Sequence, residues 1–375
     1  MSADSIVIIL LVVMAVGLWL ATHFVTTAFG RTQDALSRRW FRTGQAELAS
    51  GKVQDAILSL QTALTYSREN YQYRLRLGQA LVQAGRLRQA NGYLLAMWDQ
   101  QPGNGTVNLE LARIAAQTGD FQQALRFYHG AIYGLWDDNP EARRRDVRLE
   151  LIPYLLRNNA KEQAQSELIA TAADLPRDPS LRLRVADLFA RSGEYRRSLE
   201  EYQGVLSQQP RNATALLGAG EAGFQLEQYQ LAERYLRRAV AEQPDNTQAK
   251  ELLEVSAAVR NLNPYLPRLS VRERARRVVA SYRQAEKRSH ECAEKRGEDL
   301  KATQPETELQ TTYAHLEQAR SLARPSVLIR NFDNADAVMD AVGSVEQVTS
   351  RLCGAPAGED RALMLIIAQQ EGSER

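Results

Sequence analysis

The side chains best suited to chemistry lie near the C-terminus: His290, Cys292 and Cys353. A cysteine acts as a nucleophile only when a base lies within hydrogen-bond reach. His290 and Cys292 are two residues apart, so on a helix their side chains point about 200° apart and do not meet. The pattern favours a surface histidine beside a partly buried thiol. A disulfide between Cys292 and Cys353 would form only in an oxidising compartment.

A second candidate is the glycine pattern at Gly218, Gly220 and Gly223, which matches GxGxxG. That pattern binds dinucleotides when a strand precedes it and a helix begins at it. Here it falls inside a helical pattern, so we interpret it as helix packing. Two cysteines this far apart also fit no zinc pattern. The sequence therefore predicts no catalytic residue, metal site, cofactor or small-molecule substrate.

A predicted helix over 270–296 is rich in arginine, and arginine binds the phosphates of nucleic acids and anionic lipids. Glutamates alternate with the arginines, which is typical of an exposed helix face with internal ion pairs. The net charge of +2 gives no overall attraction to polyanions. We therefore expect no nucleic-acid binding.

The elements that position these residues follow a period of 34 residues, the spacing of Gly51, Gly85 and Gly119. Such a period indicates stacked supersecondary units with an extended groove. Six units align at 37–70, 71–104, 105–138, 145–178, 179–212 and 213–246. Six residues, 139–144, interrupt the period, and they predict either a lengthened helix or a local bend.

Each unit contains two helical patterns joined by a tight turn. A small residue in the first helix, as at Gly44 or Gly78, allows the second helix to approach closely. The first helix ends at a residue that occupies one fixed place in the period: Gly51, Gly85, Gly119, Asn159, Gly193 and Glu227. Glycine adopts the left-handed conformation expected there at little cost, and Asn159 is the next most tolerant residue.

The pattern resembles the tetratricopeptide repeat. The likeness is carried by Trp40, Thr43, Gly44, Gly51, Val53, Ala56, Leu60, Ala63 and Pro102. It covers about residues 37–246 on the repeat-period criterion. The resemblance implies an all-α superhelix in which the first helix of each unit lines a concave face that contacts partners.

Transferred by repeat position, that resemblance implies a partner-binding groove of apolar residues and their polar neighbours. Its residues are Leu75, Gln79, Val82, Leu109, Arg113, Leu149, Leu156, Arg157, Leu183, Asp187, Arg191, Leu217, Glu221 and Phe224. The alternative is that the leucines pack against adjacent units or against C-terminal helices that fold back. The chaperone-tail clamp of the family needs Lys and Asn where this chain has Phe41 and Gln45, so a chaperone-tail receptor is not expected.

The N-terminal residues 5–29 are apolar over a length that predicts a membrane-spanning helix, within an anchor at 1–30. Asp4 is the only charged residue before them, which does not fit a cleaved signal peptide. The basic residues that follow are Arg31, Arg38, Arg39 and Arg42. By the positive-inside rule they place the repeats in the cytoplasm, on the inner membrane. The layout is similar to membrane-anchored bacterial repeat adaptors.

After the repeats, the sequence predicts a capping helix over 247–262 and a helical region of unknown role over 268–375. The predicted fold is thus all-α, with one transmembrane helix, a repeat superhelix and this C-terminal region. The predicted function is a non-enzymatic scaffold that holds a protein or peptide partner, or a membrane complex, at the membrane. Two alternatives stay open: a C-terminal enzyme or regulatory module with the repeats as a targeting arm, and a periplasm-facing envelope-assembly protein, which a Cys292–Cys353 bond would support.

Overall fold

The computed structural model describes the backbone of residues 3–302 and 304–373, and the side chains of residues 14–302 and 304–370. Helices follow one another along all of this chain. The first thirteen are α1 (Ala3–Ala49), α2 (Val53–Tyr66), α3 (Tyr71–Gln83), α4 (Leu87–Gln100), α5 (Gly105–Thr118), α6 (Phe121–Ile132), α7 (Pro140–Arg157), α8 (Lys161–Ala173), α9 (Pro179–Ser192), α10 (Tyr195–Gln208), α11 (Ala213–Gln225), α12 (Tyr229–Glu242) and α13 (Thr247–Leu262). The last five are α14 (Val271–Arg296), α15 (Glu308–Ala319), α16 (Pro325–Arg330), α17 (Asn334–Cys353) and α18 (Gly358–Ser373). The all-α, solenoid-like part of the predicted fold is therefore present.

The predicted transmembrane helix is wrong. Among the described residues, no helix is both long enough and apolar enough to cross a bilayer. The backbone of residues 3–49 forms one continuous helix. The side chains of residues 1–13, which include the start of the predicted span, lie outside the described residues.

The chain divides into two compact units, Met1–Glu167 and Leu168–Arg375. The division falls within α8 and within the repeat predicted at 145–178. Helices α1 to α7 belong to unit 1, and α9 to α18 belong to unit 2. The boundary between the units therefore falls inside one predicted repeat, although the period of the sequence continues through it.

The turn between the two helices of a repeat is left-handed in all six repeats. The values of φ are +76° at Gly51, +71° at Gly85, +79° at Gly119, +57° at Asn159, +87° at Gly193 and +58° at Glu227. The left-handed region costs a residue with a Cβ roughly 1–2 kcal/mol. Glu227 adopts it nonetheless, so the packing of the two helices determines the turn at this position.

The period of 34 residues also contains helix caps that the patterns above did not predict. Asparagine or aspartate precedes the first helix of four repeats and the following helix α13: Asn70, Asn104, Asp178, Asn212 and Asn246. Each side-chain oxygen accepts a hydrogen bond from a backbone N–H in the first turn of its helix. Such a cap satisfies a backbone donor that has no partner within the helix.

Small residues let the paired helices approach closely. A Cβ added at Gly44 would lie 2.8 Å from Leu60, and one added at Gly220 would lie 2.6 Å from Leu236. The GxGxxG pattern lies inside α11, so its glycines belong to helix packing. In the second helices, the small residues at one repeat position are fully buried: Ala56, Ala90, Ala124, Ala164, Ser198 and Ala232.

The six-residue interruption lengthens a helix, which is one of the two outcomes that the sequence left open. Helix α7 has 18 residues, whereas the first helices α3, α5, α9 and α11 have 13 or 14. The extra residues come at the N-terminal end, after a connection over 133–139. That connection contributes to the candidate site described below.

The C-terminal region of unit 2 is helical, with α17 packed against α14 and α15, and α18 packed against α13, α14 and α17. A disulfide joins Cys292 on α14 to Cys353 at the end of α17, with a Cα–Cα distance of 5.6 Å. The apolar run over 362–367 lies in α18. Helix α16 is short, with six residues.

Candidate functional site

A cavity of about 480 Å³ opens in unit 1 on the face formed by the first helices of the repeats, which we call the inner face. Four of the predicted groove residues line this cavity: Leu75, Gln79, Leu109 and Arg113. Leu75 and Gln79 lie on α3, and Leu109 and Arg113 occupy the same repeat positions on α5. The period of the repeat therefore brings equivalent side chains side by side.

The apolar part of the cavity consists of Phe41, Leu75 and Leu109, each of them partly exposed. The ring of Phe41 stacks on Tyr73, with 4.3 Å between the ring centres. Tyr73 is itself buried, so Phe41 has a fixed support beneath it. These side chains present apolar surface without a large rearrangement, which is typical of sites that bind ligands in a preformed cleft.

A chain of paired polar side chains runs beside the apolar surface. Arg76 donates a hydrogen bond to Gln79 Oε1 at 2.9 Å, and Gln79 Nε2 donates to Glu110 Oε1 at 2.9 Å. Arg113 donates to both carboxylate oxygens of Glu150, at 2.9 and 2.7 Å. It also contacts Glu110 at 3.3 Å. The chain links α3, α5 and α7 and holds their side chains in one arrangement.

Tyr128 completes this chain from the second helix of its repeat. Its hydroxyl donates to Glu150 Oε1 at 3.1 Å. Burial raises the pKa of Tyr128, and the charge of Glu150 raises it further, so the hydroxyl keeps its proton. The hydrogen bond with Glu150 likewise raises the pKa of Arg113. The charges of Arg113 and Glu150 are therefore compensated inside the site rather than available for a ligand.

The rim of the cavity comes from the connection over 133–139. Leu135 exchanges backbone hydrogen bonds with Gly103 and Gly105, at 2.7 and 2.8 Å, and the indole N–H of Trp136 donates to Ala131 O at 2.9 Å. Gly105 has no room for a Cβ, because the Trp136 ring packs directly against its Cα. The connection is thus fixed over the start of α5, and its next two residues are the exposed carboxylates Asp137 and Asp138.

Tyr71 also lines the cavity. Its hydroxyl oxygen is buried and has no hydrogen-bond partner among the described residues. Burial raises the pKa of Tyr71, and the negative charge of Asp137 adds to this effect. The hydroxyl of Tyr71 therefore keeps its proton beside Asp137.

Four other predicted groove residues of unit 1 lie outside the lining of this cavity. Leu149 is fully buried and packs within the unit. Val82 and Leu156 are partly buried, and Arg157 is exposed. Leu75, Leu109 and Leu149 occupy one repeat position. This position thus lines the cavity in α3 and α5 but belongs to the core in α7, where the first helix is longer.

In unit 2, Glu221 and Phe224 line a separate cavity of about 380 Å³ together with Tyr195 and Glu251. Leu183 and Leu217 are partly buried and pack against the core of the unit. Asp187 and Arg191 form an exposed ion pair at 3.9 Å. The predicted residues of unit 2 are therefore divided between a second cavity, core packing and the surface.

Sequence reasoning missed the residues that shape the rim of the first cavity, Trp136, Asp137 and Asp138, and also Tyr71. One signal for the rim was available, because the interruption of the period at 139–144 directly follows it. An interruption shows that the chain leaves the strict stacking. It does not show in which direction the connection turns.

The three C-terminal residues that were considered for chemistry, His290, Cys292 and Cys353, make other contacts in the structure. Cys292 is bonded to Cys353 and almost fully buried, and a bonded sulfur cannot act as a thiolate nucleophile. His290 Nε2 lies 3.3 Å from the hydroxyl of Tyr313. Within the described residues, no group of three or more His, Cys, Asp or Glu side chains is arranged to hold a metal ion.

Comparisons with known proteins agree with the repeat pattern. Two family models, both described as tetratricopeptide repeat, match this chain, one over 75–140 and 183–247 and the other over 47–97. Solved structures with a similar arrangement include pilF of Pseudomonas aeruginosa, at 18% identity over 59% of this chain and 97% of that chain, with a TM-score of 0.42. A tetratricopeptide repeat protein of Parabacteroides merdae is 16% identical over 68% and 93% of the two chains, with a TM-score of 0.41. The C-terminal part of a repeat protein of Cytophaga hutchinsonii is 13% identical over 64% and 92%, with a TM-score of 0.46.

Proposed function

We propose that this chain, which contains tetratricopeptide repeats, is a non-enzymatic protein-interaction scaffold that holds a segment of a partner protein in the cavity of unit 1. The observation that carries the proposal is the preformed surface of that cavity. Apolar side chains lie partly exposed in a row, while Arg113, Glu110 and Glu150 beside them are already paired with one another. Such a surface binds a ligand without first having to break its own contacts.

The arrangement fits an extended peptide. Apolar side chains of the peptide would contact Phe41, Leu75 and Leu109. Gln45 and Gln72 are exposed in the same lining, and an amide group both donates and accepts hydrogen bonds, so it can pair with a peptide backbone of any sequence. A basic side chain of the peptide would lie near the carboxylates of the rim.

A site-specific crosslinking experiment tests this function. A photoreactive amino acid replaces Leu109 in the cavity or Leu58 on the surface of α2, which is 62% exposed. We expect a defined crosslinked partner from Leu109 and none from Leu58. In a second step, Leu75→Glu is added to the chain that carries the photoreactive amino acid in place of Leu109. This change should abolish the crosslink, because a charge would be buried against the apolar ligand. Equal crosslinking from both positions, or a crosslink that survives Leu75→Glu, would contradict the proposal.

We further propose that unit 2 folds in an oxidising compartment. The bonded pair Cys292 and Cys353 supports this, because such bonds persist outside reducing compartments. Placement of the repeats in the cytoplasm, expected from the arginines after residue 30, stays a competing prediction. Alkylation of thiols in intact cells, followed by mass spectrometry of the denatured protein, distinguishes the two. Both cysteines alkylated before reduction would refute the oxidising compartment.

A further inference from the structure

The C-terminal helix α18 lies beside the inner face of unit 2, along α13. In this unit the inner face consists of α9, α11 and α13, and α18 packs along α13 while also contacting α14 and α17. Three apolar residues of α18 are buried in this position: Ala362, Leu363 and Ile366. The surface that the repeats would present to a partner is thus partly covered by a segment of the same chain.

Polar contacts extend this covering to α11, where Phe224 was predicted as a groove residue. Arg361 Nη1 donates to Glu251 Oε1 at 2.6 Å, and its guanidinium carbon lies 5.5 Å from the centre of the Phe224 ring. Gln369 Nε2 donates to Glu227 Oε2 at 2.8 Å. Arg361 therefore combines an ion pair with a cation–π contact on a residue of the predicted groove.

The covered surface is acidic. Glu221, Glu227 and Glu251 lie on or beside it, and Arg361 is the cation that α18 brings to it. Burial raises the pKa of Glu221, and the charge of Asp187 raises it further, so Asp187 is a further carboxylate close to this face. An acidic face that includes an aromatic ring favours a helix that carries a cation next to its apolar residues.

The start of α18 belongs to a cluster of buried charged side chains. Asp360 accepts a hydrogen bond from Gln284 at 2.8 Å and lies 3.6 Å from Arg288 Nε, and both members of this ion pair are buried. Glu346 of α17 is fully buried beside them, and neither of its carboxylate oxygens has a hydrogen-bond partner among the described residues. A buried polar group without a partner opposes the packing that buries it. The burial of Glu346 therefore offsets part of the stability that the contacts of Asp360 give to the docking of α18.

The connection to α18 permits its release. Residues 354–357 are largely exposed, and glycines with positive φ lie at both ends, Gly354 at +104° and Gly358 at +51°. Cys353 directly precedes this connection, and its bond to Cys292 holds the end of α17 on α14. When α18 moves away, the helices beneath it remain joined.

We propose that α18 is a reversible internal competitor for the inner face of unit 2, and that a partner protein binds there through a helix of the same chemistry. Such a helix carries a basic residue followed by apolar residues one, two and five positions later, as Arg361 is followed by Ala362, Leu363 and Ile366. The inference rests on the proposed function, since it names the chemistry of a partner that the scaffold would hold. The unit then exchanges an internal helix for an external one.

The test uses the full chain and a labelled peptide of residues 358–373, with binding followed by fluorescence anisotropy. In the double variant Leu363→Ala/Ile366→Ala the internal helix is weakened, and we expect the peptide to bind at least tenfold more tightly than it binds the wild-type chain. Ala368→Ser, at an exposed position of α18, is the matched control and should bind as the wild type does. Arg361→Gln weakens the internal helix without removing a buried side chain, so it replaces the double variant if the latter does not fold.

A charge exchange identifies the surface. In the weakened chain, Glu251→Arg should reduce binding of the peptide at least fivefold, and a peptide with Arg361→Glu should recover most of this loss. No gain in affinity in either weakened chain, or binding that is insensitive to Glu251→Arg, would overturn the inference. Crosslinking at Leu109 reports the cavity of unit 1 alone, so failure of the scaffold function is recognised separately.

Discussion

Removal of the bond between Cys292 and Cys353 is expected to destabilise unit 2 by about 4 kcal/mol. The two residues are separated by 61 positions, so the bond closes a long loop in the unfolded chain. The loop-closure relation gives an entropy of about −14 cal/mol/K for a loop of this size, which corresponds to about 4 kcal/mol at 25 °C. Because Cys292 is almost fully buried, both cysteines are replaced by alanine, which leaves no unpaired polar group.

The tryptophans provide an internal control for this measurement. All four, Trp19, Trp40, Trp98 and Trp136, belong to unit 1. Tryptophan fluorescence during urea unfolding thus reports unit 1, whereas hydrogen exchange of α14 and α17 reports unit 2. We expect an unchanged fluorescence transition and a loss of protection in α14 and α17 that corresponds to the calculated destabilisation.

Two results would refute this reasoning. A change below about 1 kcal/mol in unit 2 would mean that the unfolded region is already compact without the bond. An equal shift of the tryptophan transition would mean that the two units do not unfold separately. Reduction of the wild-type protein should reproduce the effect of the double variant, since both open the same loop.

Glu227→Gly should stabilise unit 2 by about 0.5–1 kcal/mol in urea unfolding, because relief of the left-handed φ of this turn exceeds the loss of the exposed hydrogen bond from Gln369; destabilisation would contradict this. Burial raises the pKa of Glu346 to about 8, so the folded protein loses stability as pH rises from about 4.5 to 8. Glu346→Gln should therefore raise the melting temperature at pH 8 but not at pH 4, and an equal change at both would refute the cause. Gly105→Ala should displace Trp136, shift tryptophan emission to longer wavelength and abolish the Leu109 crosslink; an unchanged emission spectrum would show that the rim is not packed as described.

The repeat architecture could be predicted from the sequence because its determinants are local. A left-handed turn depends on the residue at that turn, and a small residue sixteen positions before a leucine, as Gly44 is before Leu60, determines how closely two neighbouring helices pack. Both recur with the period, so weak signals reinforce one another over six repeats. The transmembrane prediction relied on the composition of the N-terminal residues, and no described helix satisfies the requirement of length and apolar character.

The site itself was decided by contacts between distant residues. Leu75, Leu109 and Leu149 occupy the same repeat position, yet the first two line a cavity and the third is fully buried. A repeat position specifies a face of a helix, but the neighbouring elements determine whether that face is covered. The clearest case is α18, more than 100 residues from Phe224 along the chain and packed beside it in space. The sequence by itself thus determined the helices, their turns and their pairing through local interactions, and only the tertiary structure decided which of their faces remain open to a partner, because that depends on which distant segment packs against them.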